Sequence, residues 1–111
     1  ERVAMLKDAV KGMNNVTIED FDGLVIDFAR KKKISVIIRG LRMISDFEFE
    51  FQMALTNRRL AADIETIFLM PSEQNSFLSS RLLKETASLG ADLSSFVPAS
   101  VERELKKKLK K

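Results

Sequence analysis

The sequence predicts an α/β fold in which helices alternate with the strands of a parallel sheet. Two short apolar runs rich in β-branched residues, at residues 35–38 and 64–70, have the character of buried strands. The segments around them show helical spacing, and strands connected through helices lie parallel with right-handed crossovers. The length of 111 residues suits one domain or part of one.

Local signals place the individual elements along the chain. Gly12 and Gly90 follow apolar periodic segments and predict helix ends, Pro98 predicts a helix start, and Ser45 with Glu48 has the form of a capping box. The expected order is a helix over 1–11, a strand at 16–18, a helix over 24–33, a strand over 35–38, a helix over 45–60, a strand over 64–70, a helix from 76–80 to 89, and a helix over 99–110. Three strands are few for such a sheet, so we expect that its N-terminal strands are missing from this chain.

Composition excludes several kinds of chemistry. The chain has no Cys and no His, so thiol catalysis, cysteine zinc sites and imidazole bases cannot come from these residues. No apolar run approaches the length of a membrane span, and a cytoplasmic protein without a membrane partner is the expectation.

The positive charge is concentrated in the C-terminal tail. The net charge is +3, but residues 106–111 contain five lysines, and without them 14 cations stand against 16 acids. Such a tail is typical of a solvated helix end, where cations complement the helix dipole. The alternative is a non-enzymatic module that binds nucleic acid through these lysines.

Two segments carry the candidate chemistry, because ligands of open α/β sheets bind beyond the carboxyl ends of the strands. In the first, Arg39, Gly40, Leu41 and Arg42 are expected on a loop after a strand, where two guanidiniums suit a polyanion. The alternative is that Arg39 and Arg42 are two ordinary surface arginines. In the second, a serine-rich helix start favours phosphate through its N–H groups and hydroxyls. That segment consists of Asn75, Ser76, Phe77, Leu78, Ser79 and Ser80.

Helix capping alone would explain one of those serines. Because both segments follow strands of one sheet, we expect them to converge on one nucleotide phosphate. Three acids spaced by two, Asp46, Glu48 and Glu50, could hold a metal or orient a ribose, although acids at a helix start more often complement its dipole. No metal cage, nucleophile–base pair or P-loop is visible in the sequence.

Two further groups on the same predicted helix have structural interpretations. Three phenylalanines, at residues 47, 49 and 51, are expected to be packing groups, and residues 57–59 are expected at a solvated or subunit-facing helix end.

Taken together, these motifs closely resemble the bacterial phosphopantetheine adenylyltransferases, and the resemblance covers nearly the whole chain. The matching segments are Asp22-Gly23-Leu24-Val25, Ile38-Arg39-Gly40-Leu41-Arg42, residues 45–54, residues 64–72, Ser76-Phe77-Leu78-Ser79-Ser80 and Phe96-Val97-Pro98. The resemblance implies a Rossmann-like nucleotidyltransferase fold and transfer of the adenylyl group of ATP to 4′-phosphopantetheine. It also implies Mg²⁺ held mainly by phosphate oxygens, a homohexamer, and coenzyme A as a feedback ligand.

The resemblance also implies roles for individual residues. The pantetheine substrate would contact Leu24, Val25 and Arg39. ATP would contact Gly40, Leu41, Arg42, Glu50, Asn75, Ser76, Phe77, Leu78, Ser79, Ser80 and Arg81.

Among the departures of the sequence from the family pattern, two bear most directly on function. Arg81 stands where the family usually has a third Ser or Thr, and the N-terminal Thr/His-x-Gly-His signature is absent. We therefore expect residues 1–111 to be the C-terminal two-thirds of a single domain, without the catalytic His and inactive alone. The remaining alternative within enzymes is a related nucleotidyltransferase, such as a nicotinate mononucleotide adenylyltransferase.

Overall fold

Two strands separated by a helix, with further helices before and after them, make up the computed structural model, which describes residues 1–109 apart from the side chains of residues 44 and 45. The elements are α1 (Arg2–Ala9), α2 (Val25–Lys31), β1 (Val36–Gly40), α3 (Ile44–Leu60), β2 (Glu65–Leu69), a 3₁₀ turn (Glu73–Asn75), α4 (Ser80–Ser88) and α5 (Ala99–Leu109). The chain divides into two compact units. Unit A is Phe21–Phe77, and unit B is Glu1–Asp20 together with Leu78–Lys111.

A parallel pair of strands forms the sheet of unit A, which confirms the predicted strand direction. The register runs from Val36 opposite Glu65 to Gly40 opposite Leu69, and the Leu41 amide continues the ladder with a 2.9 Å bond to the Leu69 carbonyl. The carboxyl ends of β1 and β2 therefore lie side by side. The prediction of Arg39 and Gly40 on a loop was wrong, because the ladder extends through both residues.

The core of unit A is small, and the sheet is more exposed than predicted. Ile26 and Ala29 of α2 cluster with Ala61 and Ile64, and Ile37 packs against them. Ile38, on the opposite face of β1, is 63% exposed. The prediction of a buried strand was therefore wrong for β1, because successive side chains point to opposite faces and only the Ile37 face packs against this core.

Two further expectations also need correction. Val16 and Ile18 lie in a segment without regular structure, because an alternating segment becomes a strand only when a neighbour satisfies its backbone groups. Phe47, Phe49 and Phe51 are about half exposed or more, rather than packed in a core. Two of them, Phe47 and Phe51, stack on each other at 5.4 Å, one turn apart on α3.

The residue that caps the N-terminus is the expected one in α4 but not in α3. Ser79 caps α4, and its hydroxyl accepts a 3.1 Å bond from the Leu82 amide, as predicted. By contrast, α3 begins at Ile44 after Met43, so Ser45 is not its N-cap; the Ser45 side chain lies outside the described residues. The predicted helix end near residue 110 also lies outside them.

Unit B is helical in its described part and contains α1, α4 and α5. Leu93 is completely buried, and its amide donates a 2.6 Å hydrogen bond to the Glu102 carboxylate on α5. Lys106 lies 3.4 Å from Glu102, and Lys108 lies 2.7 Å from the Glu1 carboxylate. These lysines thus pair with acids of their own unit. No helix among residues 1–109 has the length and apolar character needed to span a membrane.

Candidate functional site

The carboxyl edge of the two-stranded sheet carries the first predicted segment. Arg39 and Gly40 occupy the last two positions of β1, and Leu41 and Arg42 lead from the strand towards α3. Parallel pairing brings the end of β2 to the same edge. This is the edge of an open α/β sheet at which ligands bind.

Arg39 forms a bidentate ion pair with Glu50 of α3. Its Nε donates a 2.9 Å hydrogen bond to Oε2, and its Nη2 donates a 2.5 Å bond to Oε1. Glu50 is only 8% exposed, whereas the Arg39 side chain is 46% exposed. Hydrogen bonding from Arg39 lowers the pKa of Glu50 and opposes the effect of burial, so the carboxylate is charged at neutral pH.

Arg42 is held in a similar way by Asp46, in the first turn of α3. The Arg42 Nε and the Arg42 backbone amide both donate to Asp46 Oδ2, at 3.2 and 3.3 Å. Two of the three predicted acids therefore bind arginines, while Glu48 is exposed. Among the described residues, no group of three or more acidic, imidazole or thiol side chains could hold a metal.

A cavity of 330 Å³ is lined by Arg39 of β1 together with residues of α2 and α3. Val25, Arg39 and Glu50 line it, so the structure brings together two of the residues predicted for the pantetheine substrate. Leu24, the third, is the N-cap residue of α2.

Met53 and Asn57 are among the residues that line this cavity without having been predicted as site residues. They follow Glu50 on α3 by three and seven positions, which is the spacing of one helical face. That spacing from Glu50 was the signal in the sequence that places them on the same side of α3. Of residues 57–59, which were expected at a solvated or subunit-facing helix end, Arg58 and Arg59 are exposed in the last turn of α3, whereas Asn57 is half-buried and lines this cavity.

A larger cavity of 710 Å³ lies at the carboxyl edge itself. Its lining is mostly apolar and includes one guanidinium: Leu41, Arg42, Met43, Phe47, Phe68, Leu69 and Met70. The volume lies within the range of small-ligand sites. An apolar wall beside one cation suits a flat base attached to an anionic group.

The serine-rich segment is divided between the two units. Asn75 ends the 3₁₀ turn and belongs to unit A with Ser76 and Phe77, while Leu78 to Arg81 belong to unit B. Ser76 Oγ donates to the Glu73 carbonyl at 3.0 Å, so its hydroxyl closes a local turn. Ser79 and Ser80 lie at the start of α4, as predicted. The convergence of this segment with the arginines stays a prediction.

Comparison with known proteins places these features in a family. Residues 1–86 match the cytidylyltransferase-like family. A phosphopantetheine adenylyltransferase of Thermodesulfovibrio yellowstonii is 52% identical over all 111 residues, which align with 69% of its own length. A phosphopantetheine adenylyltransferase of Caldanaerobacter subterraneus subsp. tengcongensis is 51% identical, again over all 111 residues and 69% of its own length.

These matches confirm the resemblance seen in the motifs. With the parallel strand pair, they also confirm a Rossmann-like nucleotidyltransferase fold. The chain belongs to the cytidylyltransferase-like family and, within it, to the phosphopantetheine adenylyltransferases.

Proposed function

We propose that this chain serves adenylyl transfer from ATP to 4′-phosphopantetheine, giving dephospho-coenzyme A and pyrophosphate in coenzyme A synthesis. One observation carries the proposal. Two relatives named as this enzyme are 52% and 51% identical to the chain over its whole length. Their name also favours this reaction over the nicotinate mononucleotide alternative. The chain is accordingly a nucleotidyltransferase.

The reaction needs little covalent chemistry from the protein. An oxygen of the pantetheine phosphate attacks the α-phosphorus of ATP, and the bond to the leaving pyrophosphate breaks on the opposite side. No protein nucleophile takes part. The contribution of the protein is therefore to align the two phosphates and to stabilise the charge that develops between them.

We assign the residues to the two substrates as the resemblance implies. Leu24, Val25 and Arg39 contact the pantetheine substrate, which the shared cavity of Val25 and Arg39 supports. The ATP side comprises Gly40, Leu41, Arg42, Glu50 and residues 75–81. The cavity that contains Leu41 and Arg42 beside apolar walls supports this part of the assignment.

Mg²⁺ is proposed to accompany ATP through its phosphate oxygens. Arginines engage two of the nearby carboxylates, Asp46 and Glu50, which fits an ion that takes most of its ligands from the nucleotide and water. The ion would supply charge neutralisation on the phosphates.

The remaining proposals follow from the family alone. Residues 1–111 would form the C-terminal two-thirds of one domain, in a cytoplasmic homohexamer that binds coenzyme A as a feedback ligand. The catalytic His would come from residues that precede this sequence in the full-length enzyme. The 111-residue chain alone should then show no adenylyl transfer, and turnover by the purified chain would contradict this.

Steady-state kinetics of the full-length enzyme test the assignment of the two arginines. Arg42→Ala should raise KM for ATP, and Arg39→Ala should raise KM for 4′-phosphopantetheine, each by about 10- to 100-fold, as expected for a lost hydrogen bond to a charged group. Arg58→Ala is the matched control, because Arg58 forms an exposed pair with Glu65 at 3.3 Å. Wild-type constants for both substrates in both variants would refute the assignment.

A further inference from the structure

Glu50 occupies an unusual position for a carboxylate. It is 8% exposed on α3, where burial of a charge is unfavourable unless a partner compensates it. A direct contact with ATP, as the resemblance implies, does not require that both carboxylate oxygens face a single arginine. The structure nevertheless directs both oxygens to Arg39.

The geometry of the pair fixes the guanidinium in one plane. Two parallel hydrogen bonds, at 2.9 and 2.5 Å, join Nε and Nη2 of Arg39 to the two oxygens of Glu50. A guanidinium has five N–H groups, and this pair uses two of them. The other three can still reach an anion, and nearly half of the Arg39 side chain is exposed.

Both members of the pair line the 330 Å³ cavity together with Val25, Met53 and Asn57. A long arginine side chain at the end of a strand would otherwise sample many rotamers, and ordering it would reduce affinity for the substrate. The Glu50 carboxylate removes that freedom before a ligand arrives.

We infer that Glu50 is a positioning residue for 4′-phosphopantetheine, because it holds the Arg39 guanidinium in one orientation at the wall of this cavity. The inference rests on the proposed function, which assigns Arg39 to that substrate. It adds a role on the pantetheine side to a residue that the resemblance connects only with ATP.

A double-mutant cycle in the full-length enzyme tests the inference. Glu50→Gln keeps the shape of the side chain and should raise KM for 4′-phosphopantetheine about tenfold, with a smaller change in KM for ATP and in kcat. In the Arg39→Ala background, Glu50→Gln should cause no further rise in KM for 4′-phosphopantetheine, because the residue on which it acts is gone. Glu65→Gln, which breaks the exposed pair with Arg58, is the matched control.

The outcomes separate this inference from the proposed function. The positioning role is refuted, and the proposed function stands, if Arg39→Ala weakens pantetheine use but Glu50→Gln raises only KM for ATP. The same holds if the double variant raises KM for 4′-phosphopantetheine by the product of the two single-variant increases. If Arg39→Ala leaves pantetheine use unchanged, the assignment of Arg39 to that substrate and the positioning role of Glu50 are both refuted, whereas absence of adenylyl transfer in the full-length wild type would refute the proposed function itself. Should Glu50→Gln not fold, Arg39→Lys keeps the charge without the planar fork and should raise the same KM. An unchanged KM for 4′-phosphopantetheine in Arg39→Lys would also refute the inference.

Discussion

The ion pair between the half-exposed Arg39 and the buried Glu50 should make the stability of the chain depend on pH in a specific way. The folded-state pKa of Glu50 is lowered from its ordinary value of 4.5, chiefly by its hydrogen bonds with Arg39. A carboxyl with a depressed folded pKa contributes stability above its unfolded pKa and loses that contribution as pH falls through the folded value. Glu50→Gln, which removes the charge, should therefore be less stable than the wild type at neutral pH. The difference should diminish below pH 4.5.

The size of the effect follows from the geometry and the exposure of the pair. A hydrogen bond to a charged group contributes about 1.5–3 kcal/mol, and the Glu50 carboxylate receives two from one guanidinium. Arg39 is 46% exposed, so water can solvate it once Glu50 is neutral, which lowers the cost. We expect a difference in the free energy of unfolding of about 1–2 kcal/mol at neutral pH.

Urea denaturation followed by far-UV circular dichroism measures this difference, since the chain has no Trp or Tyr for intrinsic fluorescence. Subtracting the variant from the wild type at each pH cancels the titration of the other carboxyls. Glu65→Gln, in an exposed pair, should stay within about 0.5 kcal/mol of the wild type. Equal stability of Glu50→Gln and the wild type at neutral pH, or a difference that persists unchanged in acid, would show that the pair does not stabilise the fold.

Two further predictions concern unit B and use the same assay. Leu93→Ala should lower the free energy of unfolding by about 2–5 kcal/mol, because Leu93 is 0% exposed and its loss leaves a cavity; a change below about 1 kcal/mol would contradict its place in the core. Ser79→Ala should cost about 1 kcal/mol through loss of the hydrogen bond to the Leu82 amide, whereas Ser80→Ala, one position inside α4, should cost less. Equal costs for the two serines would rule out capping by Ser79.

Local patterns were sufficient to predict most elements of the fold. The β-branched runs at residues 35–38 and 64–70 became β1 and β2, with ends shifted by one or two residues. Gly12 and Gly90 both adopt positive φ after a helix, as a glycine stop signal indicates. Such features depend on interactions between near neighbours in the chain, which the sequence displays directly.

Patterns that need a distant partner were less informative. The alternation of Val16 and Ile18 is the same whether or not a neighbouring strand is present, and here the segment forms none. The three phenylalanines of α3 were expected to pack, yet which apolar face is covered depends on the elements around it. Burial is a property of the assembled layers and not of a single segment.

The candidate site shows the same division. The sequence alone indicated which residue types gather at the strand end, and the motif spacing was distinctive enough to indicate the family. Only the folded chain pairs Arg39 with Glu50 across eleven positions and adds Asn57 to their cavity. Helix periodicity can be read from the sequence because each turn repeats locally, whereas the meeting of a strand end with a helix face depends on how the intervening loop and the core place them.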